Sequence, residues 1–558
     1  MIKIAEEVVK ADVLILGAGI AGVSAAIAAA EKGADVLLIE KAHARRSGDG
    51  GTGCDHFMCY IPEFHGTDVD LVMQQVHQTM EGEGNDWNIM RNLMLRSFEV
   101  VKKWDSYGIT MRPTGEYNFE GHTLPGNQHY HLKYDGHNQK PILYQKAKDL
   151  GVRILNRTVA TELLTDKNGR AIGAIALDVA KDEPEMIILQ AKAIVLTVGH
   201  AVRLYPGVHP GCLCNDDECP ASAGALAMAY RVGTKMVNCD MAYSHAGPKY
   251  FARSGKGTWI GVMSDIEGNP VGAYVTKPDR KKGDPMMDIW TTAFRDRMKN
   301  GSGPTYVNCT ETSEEDLQHM REAFNAEGDT SLVDYMDQFG IDLRKDMIEF
   351  GTYEYQLFLR GLQIDIDAMT STVGLFAAGN IVGNVKGSIT NASVLGMIAG
   401  ENATDFANKH DFENVKDDPK IMECAQFYSE LLKRKHGAHW SESNKTLQQL
   451  MNEYAGLEMR SGSLFKAGIK YLGDLRKYSR EQFKAENSHE LVRCLEVLDL
   501  IDIGEVVMRM SDNRKESRPP FHNRCDYIYT DPLLDGKFQT LQKTEDGIVM
   551  EFRPQIMQ

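Results

Sequence analysis

Two stretches of this 558-residue sequence predict an α/β fold built on a parallel sheet. The first runs from Asp12 to Lys41, DVLILGAGIAGVSAAIAAAEKGADVLLIEK. Its apolar run Val13 to Leu16 has the length and β-branching of a buried parallel strand, Val23 to Ala30 reads as an Ala-rich helix, and Asp35 to Ile39 as a second strand. The second stretch is Val373 to Asn380, an apolar run closing in Ala377-Ala378-Gly379. A glycine turn and a small-residue helix follow it, within Gly383 to Gly400.

Between the first strand and its helix stand Gly17, Gly19 and Gly22, with Ile20 and Ala21 at the helix start. Gly17 permits the tight turn, Gly19 lets the backbone approach a pyrophosphate, and Gly22 lets helix and strand pack closely. The helix N-terminus offers free N–H groups and a positive dipole end to those phosphates. Glu40 ends the second strand, where an acid accepts hydrogen bonds from ribose hydroxyls. Strand, glycines, helix, strand and acid in that order specify a dinucleotide.

The length implies two to four domains. A formal net charge of −16 argues against nonspecific binding to nucleic acid or anionic membranes. No apolar run approaches the ~20 residues of a membrane span, and the N-terminus passes straight into the first strand, leaving no room for a signal peptide. Ten cysteines without a framework-like spacing suggest reduced thiols in a cytoplasm. Any membrane link would go through a partner.

After Glu40 and Lys41 comes HARRSGDGGTG, residues 43–53, a glycine-rich loop suited to a flat or phosphorylated ligand. Glu40-Lys41 followed by Arg46-Ser47-Gly48 and the tail Gly51-Thr52-Gly53 resembles the flavoproteins of the succinate dehydrogenase/fumarate reductase superfamily. The similarity is greatest to adenylylsulfate reductase α subunits, which carry Arg-Ser-Gly at this point. The resemblance implies FAD as the cofactor. Respiratory members attach it through a histidine where this chain has Gly48, so noncovalent FAD is implied here.

Residues 66–150 are mostly helical in pattern, with apolar spacing in Val69 to Met80 and Trp87 to Trp104. A helix, Pro141 to Leu150, and a strand, Val152 to Asn156, follow; Val159 to Leu164 and Ala171 to Leu177 read as a hairpin, and Ala193 to Val198 as a strand ending at Gly199. The resemblance places adenine contacts near Ala160 and a cofactor contact at Gly199. His137 reads as a structural loop residue. Cys212, Cys214 and Cys219 could hold zinc or part of an iron–sulfur cluster, yet C-x-C-x4-C matches none of the stronger ligand spacings, which favours a loop of reduced thiols.

The helix Ala221 to Gly233 and the segment Cys239 to His245 resemble the family's flavin-facing helix and the strand that ends in a substrate-side histidine. His245 is accordingly a candidate catalytic residue. From 246 the composition turns to Gly, Pro and Lys, as in the superfamily's capping domain, with Arg253 as the second catalytic candidate. Asn380, Asn391, Ser393 and Val394 match positions that touch the flavin ring. Thr390 stands where fumarate reductases carry a substrate-clamping arginine, Tyr355 to Leu359 lacks their clamping histidine, and no arginine aligns with their acid near Lys282 to Asp284.

The implied architecture is a Rossmann-like FAD-binding domain (1–245 and 351–410) split by an α+β capping domain (246–350), with a helical C-terminal domain (411–558). That last domain holds helices in Ile421 to Lys433, Ser443 to Met459 and His489 to Met510, a docking segment at Glu516 to Arg524, and a short tail. The function implied is an FAD-dependent reductase subunit fed by a ferredoxin-like iron–sulfur partner, since the chain shows one dinucleotide fingerprint and no second one for NAD(P)H. Two alternatives stand beside it. One is a self-contained reductase of an activated C=C bond on a substrate other than a dicarboxylate; the other is a flavin electron-transfer subunit without its own substrate.

Overall fold

The computed structural model describes residues 1–77, 84–120, 127–206, 224–241, 243–248, 258–272, 275–280, 291–356, 360–457 and 459–557, with side chains described except at 243–246, 291–292 and 352–356. At its centre the strands lie in the order Arg153–Asn156, Val36–Glu40, Val9–Leu16, Glu185–Leu196, Ala171–Asp178 and Thr158–Thr165. The first four run parallel, and the last two form the antiparallel hairpin. The opening strand and Glu185–Leu196 are both longer than their apolar runs. Lys10, Gln190 and Lys192 interrupt the pattern, but parallel pairing of Val9 with Leu189 and of Ala11 with Ala191 carries both strands through.

The topology levels four strand ends. Leu16 pairs with Ile39 on one side and Leu196 on the other, and Leu196 pairs with Ala377 of the returning strand Leu375–Ala377. Ligands of open α/β sheets bind outside such carboxyl ends. The helix Ile20–Glu31 covers this edge and is crossed by a helical run made of Ser388–Thr390, a π segment Asn391–Leu395, and Gly396–Ala407. The crossing is close because two positions have no side chain. A Cβ on Gly396 would lie 2.5 Å from the Ala21 carbonyl, and one on Gly400 2.2 Å from that of Ala25.

The capping region is a four-stranded antiparallel sheet ordered Tyr243–Pro248, Ile348–Gln356, Thr305–Asn308, Val262–Ser264. Helices Glu314–Glu327 and Thr330–Phe339 flank it. Ser313 caps the first of these by accepting the Asp316 N–H at 3.1 Å. The region has its own core, in which Trp259 meets Phe324 and Phe350 at ring distances of 5.0 and 5.3 Å. Its first strand begins at Tyr243, so His245 stands inside a strand that runs on to Pro248, not at a strand end.

Four helices, Pro419–Lys433, Trp440–Ala455, Gly462–Gln482 and Ser488–Asn513, form the C-terminal part. The third was not expected. Nor is the tail a simple extension: Lys537–Thr544 and Gly547–Pro554 make a hairpin that joins Met236–Val237 and Gly361–Leu362 in one sheet. The docking segment does dock, and more deeply than expected, because Phe521 is buried in the capping region's core. Among the described residues no helix is long and apolar enough to cross a membrane.

Candidate functional site

Gly17 has φ +96°, and a Cβ there would lie 2.7 Å from the Thr197 carbonyl oxygen. Gly22 is tighter still, with Gly17 O at 1.9 Å from its ideal Cβ. Thr197 locks the turn by donating from Oγ1 to the carbonyls of Gly17 at 2.7 Å and Leu16 at 3.0 Å. Gly19 differs from both neighbours. Its Cβ would meet only Gly48 Cα, at 3.8 Å. Packing therefore explains two glycines and leaves the third facing open space at the N-terminus of the helix, where a phosphate belongs.

Glu40 is buried, and two backbone N–H groups orient its carboxylate: Ala18 donates to Oε2 and Ala42 to Oε1, each at 2.8 Å. Beneath it, burial pushes the Lys140 ammonium down to about 7 against the pull of Glu40. Lys140 donates to the Ala44 carbonyl and so ties the loop after Glu40 to the helix Gln139–Asp149. Ala160, half-buried, pairs with Ala176 across the hairpin, and Gly199, with φ +72°, follows the strand end at Leu196.

In the glycine loop, Arg46 donates to the carbonyls of His137 at 3.1 Å and Gly51 at 3.4 Å, and Ser47 to that of Ala18 at 3.3 Å. These two side chains hold the loop against the cradle. His137 accordingly serves a structural purpose through its carbonyl. Gly48 has φ +85° and would put a Cβ 2.7 Å from Gly19 Cα. A histidine in its place would push into the cradle itself.

Lys41 turns its side chain away from the cradle. Its Nζ lies 2.6 Å from Glu496 Oε1 in the helix Ser488–Asn513, and Arg203 and Arg493 reach the other oxygen at 2.8 and 2.9 Å. Burial opposes ionisation of Glu496, yet Lys41, Arg203 and Arg493 together hold its carboxyl down to about 2. Relative to an unfolded value of 4.5, a shift of this size corresponds to about 3 kcal/mol. This stabilisation is full above the unfolded value and is lost as pH falls toward 2. Thermal melting should show Glu496→Gln to be destabilised by a few kcal/mol at pH 7, with the gap to wild type closing at pH 3.

The returning strand delivers Gly379, φ +81°, against Ala21, 3.0 Å from the ideal Cβ. Asn380 Nδ2 donates to Asp49 Oδ2 at 2.8 Å, and His200, fully buried, lies close enough to Asp49 to be influenced by it while burial lowers its basicity. Asn391 and Ser393 are fully buried: Asn391 Nδ2 donates to Val385 O at 3.0 Å and Ser393 Oγ to Ile389 O at 2.8 Å. Val394 is buried beside them. Two buried polar atoms in this turn, Thr390 Oγ1 and Asn391 Oδ1, have no hydrogen-bond partner among the described atoms. Buried polar groups are ordinarily paired, so the turn is held by fewer hydrogen bonds than its polar side chains could make.

Arg253 and Cys212, Cys214 and Cys219 lie outside the described residues, as does the side chain of His245. The sequence reading missed Asp49 and His200, because a lone Asp inside a glycine loop and a His after a strand carry no spacing signal. It also missed Asp55, His56, Lys133 and Glu327, which come from separate segments of the chain. Cys54, Cys59, Cys239, Cys309, Cys424, Cys494 and Cys525 are all free thiols.

An open approach to the helix N-terminus, an oriented acid and a second glycine strand closing over the same sheet edge define a dinucleotide-binding cradle. The FAD binding domain family matches residues 12–393, and the fumarate reductase flavoprotein C-terminal family matches residues 444–557. The chain belongs to the FAD binding domain family and is an FAD-dependent oxidoreductase. It is 23% identical to an uncharacterized FAD-dependent oxidoreductase of Methanocaldococcus jannaschii, over 97% of this chain and 99% of that one. It is 22% identical to one subunit of the CoM/CoB fumarate reductase of Methanothermobacter marburgensis, over 94% and 96%. The fold matches adenylylsulfate reductase of Archaeoglobus fulgidus with a TM-score of 0.83 at 20% identity, covering 98% of this chain and 96% of that chain.

Proposed function

We propose that this chain is the catalytic flavoprotein subunit of a cytoplasmic reductase resembling adenylylsulfate reductase α subunits, taking electrons from an iron–sulfur partner and passing them to a small molecule. One observation carries the reading: the 558 residues hold one dinucleotide cradle and no second glycine fingerprint for NAD(P)H, which favours delivery of the reducing equivalents by another protein. Gly17, Gly19 and Gly22 would hold the FAD pyrophosphate, Glu40 a ribose, and the Gly379 to Val394 turn the ring. When bound, FAD supplies transfer of a hydride or electron pair. The protein's part is to exclude water and fix the acceptor, and the capping region is placed for both. Gly53 and Gly328 sit where the cap meets the cradle loop, with ideal Cβ atoms 2.0 Å from Ala326 O and 2.5 Å from Thr52 Cβ.

A second reading, a self-contained reductase of an activated C=C bond, draws support from a urocanate reductase of Eggerthella lenta that is 24% identical over 71% of this chain. Photoreduced, FAD-loaded protein should be mixed anaerobically with adenylylsulfate, urocanate and crotonate. Rapid flavin reoxidation by one of them identifies the substrate class. Reoxidation by none of the three, with fast electron transfer to a small iron–sulfur protein, would favour the electron-transfer subunit instead.

The flavin should be released by acid. Gly48 offers no nucleophile, and the close contact with Gly19 leaves no room for one. Fluorescence remaining with the precipitated chain after washing would overturn this.

A further inference from the structure

Beside the cradle loop, side chains from two domains meet in one buried cluster. Asp55 and His56 follow Gly53 directly, and Lys133 pairs with His56 on the neighbouring strand His131–Lys133. The capping region contributes Thr258 and Glu327, the last residue of the helix Glu314–Glu327. Lys133 Nζ donates to Asp55 Oδ2 at 2.9 Å, and Thr258 Oγ1 donates to the same oxygen at 2.6 Å. His56 Nδ1 lies 2.6 Å from Asp55 Oδ1 and 3.7 Å from Glu327 Oε1. One polar atom from each of Asp55, His56 and Glu327 falls within 4.8 Å of the others. The Asp55 side chain is 4% exposed and that of Glu327 17%.

The cluster's position is fixed by the residues around it. Ala326 and Gly328, on either side of Glu327, are the two that press on Gly53 and Thr52. Glu327 is thereby clamped against the end of the loop whose beginning, Gly48, touches Gly19.

Two carboxyl groups this close and this buried do not both ionise. Burial opposes charge on Asp55, but Lys133 and then His56 hold its carboxyl well below the usual range. Burial, Asp55 and Asp329 push the Glu327 carboxyl well above its own. The proton therefore rests on Glu327. The other groups facing it do not compete near neutrality: burial pushes the Cys54 thiol up to about 11 and raises the Tyr134 phenol further. His319, near Asp55 and Lys133, is kept neutral by burial and by Arg280.

We propose that Glu327 is the proton donor of this reductase, brought to the cradle by the capping region and held in place by Asp55, Lys133 and His56. The proposal rests on the second reading above, reduction of an activated C=C bond, and names its acceptor class, an unsaturated compound that takes a hydride at one atom and a proton at the other. Bound FAD would supply the hydride equivalent. The Glu327 O–H bond breaks as the new bond to hydrogen forms on the acceptor atom that does not receive the hydride. The carboxylate left behind regains a proton from solvent, to which the Glu327 side chain is 17% exposed. Restoring the hydride donor would take an electron pair and one further proton from solvent, so the whole cycle takes up two protons per electron pair.

The test compares FAD-loaded wild type with Glu327→Gln, which keeps the shape and a donor toward Asp55, and with Glu327→Asp. Infrared spectra at pH 7 should show a buried protonated-carboxyl band in wild type that Glu327→Gln loses and Glu327→Asp retains. With an acceptor from the panel above, kcat should fall about 100-fold or more in Glu327→Gln, with KM nearly unchanged and partial rescue in Glu327→Asp. Reoxidation by hexacyanoferrate, which takes electrons without a proton, should match wild type. Wild-type turnover should fall as pH rises through the raised Glu327 value. An absent or unchanged carboxyl band overturns the proposal, as does stoichiometric zinc binding that Glu327→Gln abolishes. If acceptors react alike with wild type and Glu327→Gln, the donor falls alone. If none reacts with wild type while electrons pass rapidly to a small iron–sulfur protein, the reductase reading falls and the donor falls with it.

Discussion

Gly19→Val protein should fold, purify without colour and stay colourless when FAD is added. The fold has room for the side chain, since the nearest described atom to a Cβ at residue 19 is Gly48 Cα, 3.8 Å away. What the valine enters is the space over the first turn of Ile20–Glu31, where the pyrophosphate must approach backbone N–H groups. Displacing the pyrophosphate forfeits several charge-assisted hydrogen bonds at about 1.5–3 kcal/mol each, which corresponds to at least about a thousandfold in affinity. The loss should also appear in melting. FAD at about a thousand times the wild-type Kd adds about 4 kcal/mol to wild type and nothing to the variant. Gly22→Val makes the contrast, because its Cβ would collide with Gly17 O at 1.9 Å and the chain should fail to fold. A yellow Gly19→Val protein would show that the phosphate lies elsewhere.

That pair of variants also marks where sequence reading works. The cradle was legible because local order alone determines it: Gly17, Gly19, Gly22 and Glu40 sit on consecutive elements, and their roles follow from spacing. The returning strand at Leu375–Ala377 was legible as an apolar run, and its return to the cradle only through the family resemblance. The terminal hairpin carried a signal that went unused, an Asp546-Gly547 pair between two alternating runs. The ion pair of Lys41 was not legible, because nothing near it in sequence announces Glu496, whose three cations come from three separate segments. The Asp55, Lys133 and Glu327 cluster was illegible for the same physical reason. Its members are scattered along the chain, and only the closure of the cap on the cradle loop makes them neighbours.

Fumarate at millimolar concentration should leave the reduced flavin of this protein unoxidised on the timescale of catalysis. A C4 dicarboxylate requires a cation or strong donor at each end, and each buried charged hydrogen bond is worth about 1.5–3 kcal/mol. Fumarate reductases, by the resemblance, place an arginine where this chain has Thr390 and a histidine within the segment aligned with Tyr355 to Leu359, which here reads YQLFL. Thr390 is neutral and fully buried, so it brings no positive charge to the site. Two missing clamps weaken a dicarboxylate by several kcal/mol, on the order of a thousandfold. The proton pair of Asp55 and Glu327 adds to this. Asp55 is already matched by Lys133, at 2.9 Å, so that lysine's charge is largely spent before a second substrate carboxylate arrives. A substrate with at most one carboxylate beside the flavin fits what remains. Stopped-flow mixing of photoreduced protein with fumarate and, separately, with crotonate, which has the same C=C bond and one carboxylate, isolates the second charge. Rapid, repeated turnover on fumarate would require clamps supplied by other residues and would sink the argument.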